Sequence, residues 1–422
     1  MKTKKTVFAA LAASAIVGGA FAASTVTIDG VTQRWPWNNK LDIAYTVTGG
    51  QDVSLGVYRK LVFTCVIDGV TNVIDGVSDV GASANDGSHV VTWTAPAGFK
   101  TTNCTMSAAL YASDGPSGDD YMVINLSTGA IAYEGLLATQ SASNDRYNTA
   151  TYKTTHMVLR KVPAGGTYPT GYMNSVYCKK NYPTTWTTDR DYYVGIFPVT
   201  QRQYEIVYGS NASASTHRTD VEGNVAAHRP VTYGITWNGV RSSIAANAEI
   251  PAVESVTVNR TPFFQVLKYR TGNTLAFDLP TVVMAEIAIR AGVTTKHSWG
   301  DTADDGASYA ACKTTSGGLP MAVGTFSPNA WGIYDGQGNC FELCRDDYNA
   351  SLLAEDYKPW SAIDPWTPLC DTTGETTTCV ALGGGDYSYE LTSSLFFASY
   401  VGSRAKNSGQ AGFGFRVAVV MK

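Results

Sequence analysis

Val323-Gly324-Thr325-Phe326-Ser327-Pro328-Asn329-Ala330-Trp331-Gly332-Ile333-Tyr334-Asp335-Gly336-Gln337-Gly338-Asn339-Cys340-Phe341-Glu342-Leu343-Cys344-Arg345-Asp346 decides how the C-terminal two thirds of this 422-residue chain is read. Gly, Pro, Asn and Asp recur too often for a long helix or strand, so most of the stretch is a series of tight turns carrying aromatic and polar side chains. Near its end Asn339 and Glu342 offer two hard oxygen ligands close together in the chain. Neighbouring carbonyls can complete the shell of roughly 6–8 oxygens that calcium takes, so a structural calcium is one reading. An Asn-Glu turn hydrogen-bonded to the backbone is the other.

Outward from this stretch, the chain from Thr151 to Lys422 mixes short helices with many turns. Thr200 followed by Gln203 forms a capping box, which predicts a helix with Tyr204, Val207 and Tyr208 on one face and Gly209 as its stop. Thr261-Pro262 predicts a second helix, with the threonine as cap, the proline at the first helical position and Gly272 at the end. A third follows Leu279-Pro280-Thr281 and ends at Ala291-Gly292. Beyond Gly292 the regular structure is expected to be short strands, giving an α+β unit over 151–422.

The N-terminal part has a different period. Leu41, Ile43, Tyr45 and Val47 alternate with Asp42, Ala44 and Thr46, and further short segments are separated by turns at Gly49-Gly50, Asp86-Gly87 and Asp114-Gly115-Pro116. Alternation with frequent turns predicts an all-β sandwich of immunoglobulin or fibronectin type over 23–129. Residues 130–150, with Ser141, Ser143, Asn144, Asp145 and Asn148 close together, read as a linker. Trp35-Pro36-Trp37 reads as packing beside a first strand, with an exposed platform for sugar as the alternative.

Composition sets outer bounds. Apolar residues at 44%, charged residues at 16% and a net charge of −4 describe a folded protein and give no support to a nucleic-acid partner. The first 22 residues read as a secretory leader: Lys2, Lys4 and Lys5, an apolar stretch from Val7 to Gly19, and the A-x-A site Ala20-Phe21-Ala22. The apolar stretch is shorter than the ~20 residues of a membrane span, so the expectation is a secreted, periplasmic or cell-surface protein with no span after cleavage. Eight cysteines in an exported chain are compatible with disulfides; the preferred pairs are Cys65 with Cys104 and Cys370 with Cys379. There is no C-x-x-C, so neither a zinc ribbon nor a thioredoxin-type site is indicated.

Five segments in order resemble the formylglycine-generating-enzyme, or sulfatase-modifying-factor, family. They are Tyr193 to Tyr204 with Val199-Thr200; Arg229-Pro230-Val231 leading to Ile235-Thr236-Trp237; Leu279-Pro280-Thr281 with Glu286, Ala288, Arg290, Ala291 and Gly292, then Trp299-Gly300-Asp301; the stretch 323–346; and Gly383-Gly384-Gly385, Ser403-Arg404 and Gly412-Phe413-Gly414-Phe415-Arg416. The resemblance implies a C-type-lectin-like fold for the C-terminal unit, and a structural calcium at positions matched by Asn339 and Glu342. It also implies a copper-bound cysteine pair shortly after the glycine motif, because soft thiolates hold Cu(I) and let oxygen be activated beside a substrate thiol.

Here the chain departs from the family. Aligning Gly384-Gly385-Asp386-Tyr387 with the family's glycine motif puts Tyr389 and Ser394 at the two cysteine positions. Neither side chain supports that copper chemistry, so copper is not expected. The five histidines, His89, His156, His217, His228 and His297, have no metal-ligand spacing, and no G-x-S-x-G elbow is present. Two functions remain. One is a non-catalytic module that binds a peptide, protein or glycan through Trp331, Tyr334, Tyr387, Tyr389 and Arg404, an aromatic set with one guanidinium. The other is a divergent formylglycine-type oxidase acting on sulfatases or other exported proteins.

Overall fold

The computed structural model describes residues 13–14, 24–33, 40–52, 57–67, 70–75, 82–95, 104–112, 118–136, 146–171, 185–348, 368, 378–382 and 384–421. The leader apart from 13–14, Trp35-Pro36-Trp37, residues 137–145 of the expected linker, and Cys370 lie outside the described residues. Two compact units separate: Met1–Val123 with Ile131–Gln140, and Ile124–Ala130 with Ser141–Lys422.

The first unit contains strands β1 (Thr25–Gln33), β2 (Lys40–Thr48), β3 (Arg59–Ile67), β4 (Val70–Asp75), β5 (Gly87–Thr94) and β6 (Cys104–Ala112). One antiparallel sheet runs β1-β2-β5, with Ala13–Ser14 paired on β1, and a second runs β4-β3-β6. The alternation predicted for β2 is present: Leu41, Ile43, Tyr45 and Val47 are buried while the residues between them are not. They join Phe63, Leu61, Met106 and Leu110 of the other sheet in one hydrophobic cluster. The Tyr45 hydroxyl donates to Ser83 O at 2.9 Å, which satisfies its polar tip inside that core.

No disulfide joins Cys65 to Cys104, and none is present among the described cysteines. The register is the reason. Cys65 lies opposite Met106, and Cys104 lies opposite Ile67, so the two are diagonal rather than facing. Diagonal Cα atoms sit about 7–8 Å apart, too far for a disulfide.

Residues 124–129, expected in the first unit, and Ala130, expected in the linker, belong to the second. Leu126 is fully buried, its N–H donates to Thr155 O at 3.0 Å, and its carbonyl accepts from Arg270 Nη1 at 2.7 Å. Gly129, at φ +76°, lies so close to the chain at Arg270 that a Cβ there would fall 1.9 Å from Arg270 O.

The second unit holds two larger sheets and a short ribbon. β7 (His156–Val162), β10 (Tyr192–Gly195), β11 (Phe277–Asp278) and β16 (Ala418–Val420) lie side by side in the order β11-β16-β10-β7. β8 (Thr167–Pro169) and β9 (Thr185–Thr187) form the ribbon. The other sheet runs β14 (Val401–Ala405), β13 (Thr378–Leu382), β12 (Phe341–Asp347), β15 (Phe413–Phe415), with β12 and β15 parallel.

Helices α1 (Gln201–Tyr208), α2 (Trp237–Arg241), α3 (Phe263–Arg270) and α4 (Val282–Arg290) complete it. The capping box at α1 forms with both of its hydrogen bonds, and Gly209 closes the helix in the left-handed region at φ 109°. At α3 the start lies one residue later than predicted. Pro262 is the cap, and the Thr261 hydroxyl accepts from Thr257 N–H at 2.8 Å instead of capping the helix. No helix among the described residues is long and apolar enough to cross a membrane.

All nine residues of α4 are buried, so both of its ends need partners inside the protein. The stretch 323–346 supplies them. Asp346 accepts from Val282 N–H at 2.7 Å, and the Asn329 amide donates to Ala288 O and Ile289 O at 2.8 and 2.9 Å. A carboxylate at the N-terminus and a donor at the C-terminal carbonyls complement the helix dipole. Glu286 and Arg290 pair at 2.7 Å within α4, and together hold Gly171 by its N–H and its carbonyl.

Candidate functional site

Side chains alternate along β12, so Phe341 and Glu342 point to opposite faces. The parallel register sets Phe341 beside Phe413 and Glu342 beside Gly414. On one face the Phe341 and Phe413 rings stack at 5.2 Å and 25°. Tyr389 meets Phe341 edge-on at 6.0 Å, Tyr400 meets it at 6.3 Å, and the Arg404 guanidinium lies 4.9 Å over Phe413. Tyr389 is 43% exposed, so this aromatic platform reaches solvent.

Arg404 uses Nη2 on Ser408 Oγ at 3.2 Å, while its Nε is buried without a hydrogen-bond partner. The guanidinium lies as a cation over the Phe413 ring and sets a positive charge at the edge of the platform.

The turn carrying Tyr389 is built from below. Asp386 Oδ1 accepts from Ser388 N–H at 2.7 Å and from its hydroxyl at 2.6 Å, and Tyr389 N–H returns to Asp386 O. Tyr389 O accepts from Lys313 N–H at 2.9 Å, and Tyr387 O accepts from Ser316 Oγ at 2.8 Å. Tyr387 points inward, edge-to-face on His217 at 5.6 Å. Burial first, then the neighbouring Asp386 and Cys340, push its phenol up to about 12. His217 is lowered, by burial and then by Arg229, which keeps the imidazole neutral. Its carbonyl accepts from Gln201 Nε2 and Arg229 Nη1 at 3.0 and 3.1 Å.

The structure therefore divides the five residues predicted to line a pocket. Tyr389 touches Phe341 and Arg404 touches Phe413 on the platform, while Tyr387 turns inward onto His217. Trp331 and Tyr334 lie elsewhere. Trp331 packs edge-on against Tyr168 at 5.5 Å beside the α4 core, and Tyr334, 1% exposed, stacks on Phe197 at 5.0 Å. Sequence reading missed Phe341, Phe413 and Tyr400. The first two sit inside motifs already noted as scaffold, and their signal was the alternation that places each beside a buried Glu342 or Gly414.

Asn339 and Glu342 do not fit a calcium shell. Asn339 Oδ1 accepts from Met321 N–H at 3.0 Å, and its Nδ2 donates to Met321 O and to Asp335. Glu342 is engaged by Arg416 through Nε at 3.0 and 3.2 Å and Nη2 at 2.7 Å, with both residues buried. A guanidinium at that distance already neutralises the carboxylate and repels a dication. The hydrogen-bonded alternative describes Asn339, and an ion pair takes Glu342.

The family's copper does not fit either. Tyr389 offers a phenol and Ser394, half-buried at the start of a single helical turn, a hydroxyl. Cys312, Cys340, Cys344 and Cys379 are buried. Burial, ahead of neighbouring carboxylates, drives the Cys340 thiol well up, and burial raises Cys379 to about 12, so neither supplies a thiolate near neutral pH.

Comparison with known proteins gives one family. Residues 144–421 match the sulfatase-modifying factor enzyme 1-like domain. Among solved structures, similarity extends to Treponema denticola variable protein 1, at 21% identity over 63% of this chain and 95% of that one, with a TM-score of 0.49. PvdO from Pseudomonas aeruginosa is similar at 17% identity over 62% and 94% of the two chains, with a TM-score of 0.45. CarF is similar at 17% identity over 63% and 99%, with a TM-score of 0.40. No curated protein matches.

Proposed function

We propose, given that this chain belongs to the sulfatase-modifying factor enzyme 1-like domain family, that its C-terminal unit is a non-catalytic binding module whose ligand seats on the Phe341–Phe413 platform beside Tyr389. One observation carries the reading: Tyr389 is 43% exposed against the Phe341–Phe413 aromatic wall, with Arg404 over the Phe413 ring. Such a surface supports stacking on a sugar ring or an aromatic side chain, with the guanidinium taking a carboxylate or carbonyl oxygen. The ligand class is a peptide, protein segment or glycan.

The secretory-leader pattern of residues 1–22 supports a site of action outside the cytoplasm. The first unit serves as an immunoglobulin-like spacer, a reading supported by its strand order, with the first, second and fifth strands in one sheet and the fourth, third and sixth in the other.

A glycan and peptide panel, read by the rise in melting temperature of the full chain, tests the module. At least one class is expected to raise it, and Tyr389→Ala is expected to remove the rise; silence across both panels sinks the reading. Incubation with a cysteine-containing sulfatase peptide, copper and oxygen is the counter-test. The peptide mass is expected to stay unchanged, and conversion of its cysteine to formylglycine would establish the oxidase instead.

A further inference from the structure

A cavity separate from the aromatic platform lies within the second unit at the end of the β11-β16 edge. Its volume is about 120 Å³. The walls are apolar where β11, β16 and α4 meet, with Ile250, Leu279, Met284 and Val420, while Lys268, Arg345 and Arg190 stand around it. An enclosed apolar cavity of about 150 Å³ accepts benzene; this one is smaller, opens to solvent and carries Asp278 and Thr281 in its wall, so it takes the body of one ring or a branched aliphatic group with the polar end left at the mouth.

Asp278 is taken up by two guanidiniums, Arg241 at 2.6 and 2.9 Å and Arg345 at 3.2 Å, and Arg190 lies 3.9 Å from Asp189. Lys268 Nζ donates to Ile250 O at 2.8 Å, and it forms no salt bridge with a carboxylate among the described residues. An ammonium has three donors, so two are left for a ligand. Glu249, the other acid at the cavity, is exposed.

From these features we infer that this cavity binds a small organic carboxylate of about one ring in size, its apolar body against Leu279, Met284 and Val420 and its carboxylate on the Lys268 ammonium. Burial of the body supplies most of the affinity, and the charged hydrogen bond selects an acid over a neutral analogue of the same shape.

Calorimetric titration of the full chain with benzoate and with benzamide, which has the same shape without the charge, tests this. Benzoate is expected to bind at least about tenfold more tightly than benzamide, the ratio one charge-assisted hydrogen bond gives. Lys268→Gln is expected to remove that preference. Ala276→Leu, at a half-buried position lining the cavity, is expected to block both compounds, while Tyr389→Ala is expected to leave benzoate binding unchanged. The inference is overturned if benzoate produces no binding up to about 10 mM, if benzamide binds equally well, or if Lys268→Gln keeps the full preference for the acid. Loss of benzoate binding in Tyr389→Ala would instead move the site to the aromatic platform.

Discussion

Replacing Arg416 by methionine tests the assignment of Glu342 as an ion-pair partner rather than a metal ligand. The guanidinium makes three contacts with the Glu342 carboxylate, at 2.7, 3.0 and 3.2 Å, and donates to Gly195 O at 2.7 Å and Tyr334 O at 2.9 Å. Arg416 is 1% and Glu342 3% exposed, so removal of the cation strands a carboxylate where water cannot reach it. Breaking a buried pair from one side costs about 3–5 kcal/mol, and two carbonyls losing a charged donor add about 1 kcal/mol each at most. Arg416→Met is therefore expected to destabilise the second unit by about 3–7 kcal/mol. The double variant Glu342→Met/Arg416→Met removes both charges and is expected to be more stable than Arg416→Met by at least about 1 kcal/mol. Urea unfolding followed by tryptophan fluorescence measures both, provided the slope with denaturant is unchanged. A chelator added to the wild type is expected to leave the midpoint in place. A loss under about 1 kcal/mol for Arg416→Met would refute the reasoning. So would a chelator-induced fall that disappears in Glu342→Gln.

Tyr389→Ala removes an exposed ring, so stability is expected to change by no more than about 0.5 kcal/mol while ligand affinity falls at least about tenfold; a large drop in melting temperature would mean the ring is structural. His297 is held at about 4, chiefly by burial, below its ordinary 6.5. Its folded value lies below the unfolded one, so its contribution is complete above pH 6.5 and is lost as pH falls toward 4, amounting to roughly 3 kcal/mol. Melting curves of His297→Gln are expected to fall less steeply than wild type between pH 6.5 and 4; parallel curves would refute the assignment. Gly412→Ala would place a Cβ 2.0 Å from Asp386 Oδ2 at φ +81°, so a loss of about 1–3 kcal/mol and weakened ligand binding are expected together, by thermal unfolding and the same ligand assay.

Much of the scaffold was legible in the residues because its signals are local. Thr200 with Gln203, and Thr281 ahead of Val282, cap their helices through side chains only three residues away. The alternation of Leu41, Ile43, Tyr45 and Val47 marks the buried face of a strand whatever its partner. Even the turn-rich stretch 323–346 announced itself by composition, although not its task of closing both ends of α4 through Asp346 and Asn329.

What the sequence determined by itself is thus the division into a β-rich unit and an α+β unit, and the helix starts at α1 and α4. Tertiary structure alone decided which side chains meet. It carried Trp331 and Tyr334 away from Tyr389, gave Glu342 to Arg416 across 74 residues of chain, and set Phe341 on Phe413 to make the platform. It also set Cys65 against Met106 in place of Cys104. The physical reason is common to all four: capping and alternation depend on neighbours within a few residues, whereas ion pairs, ring stacks and disulfides depend on register between segments distant in the chain, which no local pattern encodes.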